Sequence, residues 1–120
     1  MVFLLKEVIV IKKEYRVKKS KEIEMIIKQR RSVSNKHFVL YKKENHENSH
    51  FRFAISVSKK YGNAVKRNRI KRQIREIISK IDIDIKFDIF IVIKPNLPLL
   101  KFSELERSLT NLVLKQKIMR

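Results

Sequence analysis

Five isoleucines, at positions 70, 74, 77, 78 and 81, recur at helical spacing in a segment that holds no acid before Glu76. At about 100° per residue they gather on one side of a helix predicted over 64–80, a face that must pack on an apolar partner such as a sheet. The opposite ridge is predicted to carry Asn68, Arg72, Arg75 and Ser79, flanked by Arg69 and Lys71, with Lys66 and Arg67 in the first turn. The chain entering this helix, "FRFAISVSKK", alternates strictly. Phe51, Phe53, Ile55 and Val57 point one way, and Arg52, Ala54, Ser56 and Ser58 the other, as in a strand with one core face. Gly62, the sole glycine, lies between strand and helix, where it supplies either positive φ or close backbone approach. Asn63 is the candidate N-cap.

The remaining elements come from the same periodicities. "SKEIEMIIKQR" places Ile23, Ile26 and Ile27 on one face of a first helix, with Ser20 as N-cap. "NKHFVLYKK" reads as a strand on which Phe38 and Tyr41 face opposite sides, and "KKENHENSH" as a polar loop. "FDIFIVIK" is apolar almost throughout, as expected for a strand in the middle of a covered sheet. Pro95 and Pro98 end it, and Ser103 with Glu106 forms an S-x-x-E capping box ahead of a last helix carrying Leu105, Leu109 and Leu112. The order helix, strand, strand, helix, strand, helix is an α/β layout. At 120 residues, without repeats or a Pro/Gly/Ser-rich linker, it fits one domain over 1–120.

Charge identifies the partner class. Thirty Lys and Arg against 12 Asp and Glu give +18, a self-repulsion that a polyanion must offset. Nucleic acid leads, with an anionic membrane surface second. Between Arg52 and Arg75 there are nine Lys or Arg and no acid. A merely solvated helix mixes signs to gain i,i+4 pairs. Five of the nine are arginines, whose planar fork suits phosphate contacts and base stacking. A strand precedes the basic helix, where a helix-turn-helix would need another helix, and the aromatic signatures of an RRM are missing. Structured or single-stranded RNA is therefore the better fit.

Other motifs carry less. There is no cysteine, so disulfides and thiolate chemistry are excluded, and a reducing cytosol suits the chain. "MVFLLKEVIVIKK" lacks a basic n-region and a small-residue cleavage site and is too short to span a bilayer, so it reads as a short strand or a leader. "HENSH" at 46–50 matches H-E-x-x-H literally but lies in a polar loop with no apolar helical face. Asp82, Asp84 and Asp88 read as solvent-facing positions, and His37 as a polar residue at a strand edge.

Two ordered blocks carry a resemblance. The first runs Lys59-Lys60-Tyr61-Gly62-Asn63-Ala64-Val65, then Arg67-Asn68-Arg69-Ile70-Lys71-Arg72 and Ile74-Arg75, directly after Ile55-Ser56-Val57-Ser58. The second, upstream, is Ser32-Val33-Ser34-Asn35 followed by Phe38-Val39-Leu40-Tyr41. Together they resemble the RNR-motif family of bacterial ribonuclease P proteins over most of residues 16–94. The resemblance implies an α/β (α+β) two-layer sandwich with a mixed sheet of about four strands. It also implies a left-handed βαβ crossover through the basic helix, against the usual right-handed rule, and N- and C-terminal helices.

It implies a subunit that binds a catalytic RNA and the 5′ leader of precursor tRNA, with Mg²⁺ held mainly by the RNA and none by the protein alone. Lys59, Lys60, Asn63, Lys66, Arg67, Asn68, Arg69, Lys71, Arg72 and Arg75 would face the RNA subunit; Ile23, Ile27, Tyr41, Arg52 and Ser56 would line the leader cleft. No catalytic or metal-ligating residue, membrane contact or small-molecule substrate is expected, and the location implied is cytoplasmic. The family usually carries phenylalanine at positions 23 and 27 and often glycine at position 30. Residues 1–13 look like an extension. The competing classes are a basic RNA-binding protein of ribosomal type, which would share size and charge, and a metal-dependent nuclease acting alone.

Overall fold

The computed structural model describes residues 15–120; the stretch read as an extension or leader lies outside them. The elements are α1 (Ser20–Lys28), β1 (Ser32–Ser34), β2 (Phe38–Glu44), β3 (Arg52–Val57), α2 (Ala64–Ser79), β4 (Phe87–Ile93) and α3 (Phe102–Gln116). The sheet order is β1-β2-β4-β3, with β1–β2 and β2–β4 antiparallel and β3–β4 parallel. The apolar β4 is central, as its composition requires. A parallel pair needs a long crossover, and α2 provides it.

The register sorts side chains onto two faces. Phe38 and Leu40, Phe53, and Ile89, Ile91 and Ile93 point to the main core. There they meet all five α2-segment isoleucines, none more than 6% exposed, together with Leu105, Leu109 and Leu112 of α3. At about 25 cal/mol per Å² this burial is the dominant stabilising term of the fold. The other face carries Tyr41, Ala54, Phe90 and Val92 and, among the described residues, is covered by Val17 and by the nine-residue α1, through Ile26 and Ile23. A basic helix on one side and a partly open sheet face on the other is the arrangement that matters for function.

Several local expectations shift. Both caps start one or more residues early. Lys19, not Ser20, is the N-cap of α1, because Arg16 and Val17 run beside β3, with Val17 N donating to Phe53 O at 2.7 Å, and deliver the chain there. In α3 the Glu104 carboxylate accepts from Lys101 N at 3.1 Å, so the box sits two residues ahead of Ser103–Glu106. Phe102 packs against the main core and so must already be helical; Glu106 instead pairs with Lys80 of the α2 cap at 3.8 Å. Asn63 caps α2 as expected, its Oδ1 accepting from Lys66 N at 2.9 Å.

Gly62 does not use positive φ: its backbone is extended, with φ 162° and ψ −169°. A Cβ there would lie 2.9 Å from Cδ of Lys66, so glycine serves close approach to a flexible side chain. Positive φ falls instead on Arg30 (55°), just past the end of α1. That conformation costs an L-residue roughly 1–2 kcal/mol, which accounts for the glycine the resembling family often places there.

Candidate nucleic-acid interface

The α2 surface assembles as its sequence implies, with one exception. Lys59 and Lys60 project from a 3₁₀ turn, Lys59–Tyr61, opened by Ser58, whose Oγ accepts from Lys60 N. Lys66, Asn68, Arg69 and Arg72 are exposed, and Arg67, Lys71 and Arg75 half-buried. Ser79, expected on the outer ridge, is buried and donates to Glu76 O at 2.6 Å, because the helix C-terminus sinks under α3. Arg67 donates to Gly62 O at 2.7 Å, which bends its guanidinium back over the turn. Asn63 has its carbonyl oxygen committed to the cap. Among the described residues, no cation from Lys59 to Arg75 pairs with a carboxylate.

Where α2 passes the outer edge of β3, Lys71 and Arg75 meet Arg16 and Lys18 across a notch of about 240 Å³ that Ile23 and Ala54 also line. Arg16 is held there by its bridge to Phe53. Its Nε is buried without a hydrogen-bond partner among the described residues. Burial first, then the nearby Arg16 and Arg72, push the Arg75 pKa down. Four cations without an acid make a pocket for an anion. Sequence reading missed Arg16 and Lys18, since nothing in a run of scattered lysines marks which ones the chain folds back toward α2.

The α1 cleft is built by register. Its floor is a row Tyr41–Phe90–Ala54 beside a row Val39–Val92–Ser56. The Tyr41 and Phe90 rings lie 5.9 Å apart. Ile23 packs on this floor while Ile27, 39% exposed, stands at the outer rim of α1. Phe90 and Val92 were not singled out from the sequence, although alternation from Asp88 would have placed them.

Arg52 lies at the closed end, about 13 Å along β3 from Ser56. Its guanidinium donates twice to Asp88, at 3.1 and 2.8 Å, and once to Glu22 at 2.7 Å, which ties α1 to the sheet. Asp88, expected to face solvent, is 3% exposed and also accepts from Asn48 and Asn45. Burial alone would raise its pKa. The hydrogen bonds from Arg52, Asn48 and Asn45 outweigh that and hold the carboxyl below its usual range. Arg52 is pushed up in turn, chiefly by Asp88. Its charge is therefore balanced inside the protein.

The remaining motifs resolve as structure. His46 is exposed beside Glu44, His50 stacks on Tyr15 at 3.9 Å, and no helix joins them. Nδ1 of His37 lies 2.8 Å from Ser108 Oγ, which ties the β1–β2 turn to α3. Among the described residues no group of three His, Asp or Glu is arranged to hold a metal, and no helix is long and apolar enough to cross a membrane.

Comparison with known proteins agrees with this geometry. A sequence model of the ribonuclease P family matches residues 11–117. Over 81 residues the chain is 56% identical to the ribonuclease P protein component of Macrococcus caseolyticus, covering 68% of this chain and 70% of that protein. The fold is similar to the RNase P protein of Staphylococcus aureus, with a TM-score of 0.80 and 39% identity over 88% of this chain and 98% of that one. The Thermotoga maritima RNase P protein matches with a TM-score of 0.75 and 28% identity, over 83% and 96%. The two paired blocks, and not charge alone, separate the chain from basic proteins of ribosomal type: it belongs to the ribonuclease P protein family, the protein subunits of an endoribonuclease.

Proposed function

We propose that α2 and its flanking turn hold the RNA subunit of ribonuclease P, that the open sheet face beside α1 takes the 5′ leader of precursor tRNA, and that the RNA carries the chemistry. The observation behind this is the run of cations from Lys59 to Arg75, unpaired with any described carboxylate and continuous with the notch at Arg16. Each cation set against a phosphate releases condensed counterions, so binding is strong at low salt and falls as salt rises. Lys59, Lys60, Lys66, Arg69 and Arg72 are free to do this from solvent, while Lys71 and Arg75 act with Arg16 and Lys18 on a phosphate that enters the notch.

The leader would cross from that notch onto the floor of Tyr41, Phe90, Val92 and Ser56. Single strands bind through stacking on such surfaces and through backbone charge. Ile23 and Ile27 supply apolar contact in place of an aromatic ring. Arg52 positions α1 over the floor and does not itself grip RNA.

Hydrolysis of the phosphodiester needs a general base or a metal-bound hydroxide. Among the described residues no carboxylate group is arranged to hold a metal, and Asp88, the buried one, is engaged by Arg52, Asn48 and Asn45. Mg²⁺ is assigned in this proposal to the RNA subunit, as the family resemblance implies. The protein's part is to orient substrate and neutralise phosphate repulsion, in the cytoplasm where precursor tRNA is processed. Reconstitution with the RNA subunit and precursor tRNA at low Mg²⁺ tests this. Leader removal should be strongly stimulated over RNA alone and absent with protein alone. No stimulation would refute the assignment, and cleavage by protein alone would move the chemistry onto the chain.

A further inference from the structure

The flank of α2 opposite the notch has a different chemistry. Lys66, Arg69 and Gln73 succeed one another at i, i+3 and i+7, so they share a face. That face overlooks the loop between β4 and α3, and together they enclose a groove of about 350 Å³ lined also by Tyr61, Leu99 and Leu100. The volume is at the lower end of what holds a small organic ligand.

Loops that join elements are normally polar. This one reads "KPNLPLLK". Leu97 is 7% exposed and anchors the loop in the main core, and Pro98 stiffens the chain just beyond it. Leu99 is thereby held outward at 92% exposure, the most exposed large apolar residue among those described. The groove lining includes no acid. The Gln73 side chain makes no hydrogen bond among the described residues, so both ends of its amide are available.

A ligand matching this groove is anionic on one side and flat and apolar on the other, with hydrogen-bonding groups at its edge. We propose that the groove binds one unpaired nucleotide of the RNA subunit, its phosphate on Lys66 and Arg69 and its base against Tyr61 and Leu99 with an edge toward Gln73. This rests on the reading that α2 binds that RNA. RNA is read mainly through bases splayed out of helical stacks, and a base buried here would give α2 a point of register that charge alone cannot supply.

The absence of cysteine allows a clean test. Leu99→Cys, labelled with a photo-crosslinker and bound to the RNA subunit, should crosslink to a single unpaired nucleotide. Leu99→Ser should weaken RNA binding about tenfold while leaving its salt dependence unchanged. The high exposure of Leu99 means neither variant threatens the fold. Crosslinks scattered over duplex, together with wild-type affinity for Leu99→Ser, would overturn the proposal. So would a wild-type dimer in solution that Leu99→Ser dissolves, since the patch would then serve self-association. The paired variant Lys66→Ala/Arg69→Ala separates the two readings. If it weakens binding while Leu99→Ser does not, only the nucleotide pocket falls; if neither matters, the RNA-binding role of α2 falls with it.

Discussion

The cleft beneath α1 and the outer surface of α2 are both basic in sequence, yet they treat charge in opposite ways. In the cleft, Arg52 is met by two carboxylates and its guanidinium is used up holding α1 to the sheet. Along α2, cations stand unpaired among the described residues and even crowd one another at Arg16, Arg72 and Arg75. Repulsion of that kind weakens a fold and persists where a partner outside the fold relieves it. The comparison teaches that a count of cations does not locate a binding surface; the pairing state of each does.

The largest way to break this contrast is to unpair Arg52. Asp88→Asn should cost about 3 kcal/mol in urea denaturation, as expected when one partner of a buried pair is removed. Removing Arg69 or Arg72 should leave stability within about 0.5 kcal/mol. The same pair sets an acid limit. Because the Asp88 pKa is depressed in the folded state, its contribution is complete above the free carboxyl value of about 3.9 and is lost as pH falls through the lower folded value. Asp88→Asn should flatten that acid transition in a stability–pH profile.

A smaller effect sharpens the cleft itself. Ile27→Phe places a ring at the outer rim of α1, and one stacked base is worth about 1–3 kcal/mol. Affinity for precursor tRNA should rise by the lower end of that range while affinity for mature tRNA stays put, measured side by side. Smaller again, Arg30→Gly should stabilise the chain by up to about 1 kcal/mol by relieving its positive φ. Least of all, Gly62→Ala should cost a few tenths of a kcal/mol, since Cδ of Lys66, 2.9 Å away, can swing aside and its Cβ, at 3.2 Å, need give only slightly. A loss of several kcal/mol there would show that the turn needs more than space.

Periodicity made much of the molecule legible. The isoleucine stripe of α2, the alternation of β3 and the continuous apolar run of β4 each come from one local rule, and each element lies where that rule puts it. Helix starts were less legible, because Phe102 and the extended segment before Lys19 answer to packing that no capping pattern records. The basic α2 face was readable because it is contiguous in sequence. The notch was not, since Arg16 and Lys71 meet only through the tertiary fold. Asp88 was misplaced for the same reason: in "KFDIF" it looks like a polar break, and only partners distant in sequence, Arg52, Asn45 and Asn48, make its burial tolerable. Leu99 is easily passed over, because the proline before it reads simply as the end of a strand.

The pairing contrast is tested most directly by the salt dependence of RNA-subunit binding, plotted as log affinity against log salt for two double variants. Arg69→Ala/Arg72→Ala should lower the slope by roughly 0.7–0.9 per lost phosphate contact, whereas Arg52→Gln/Asp88→Asn, which removes a pair already balanced within the protein, should leave it unchanged. An unchanged slope in the first variant, or a reduced one in the second, would contradict the assignment of the phosphate-neutralising charge to α2.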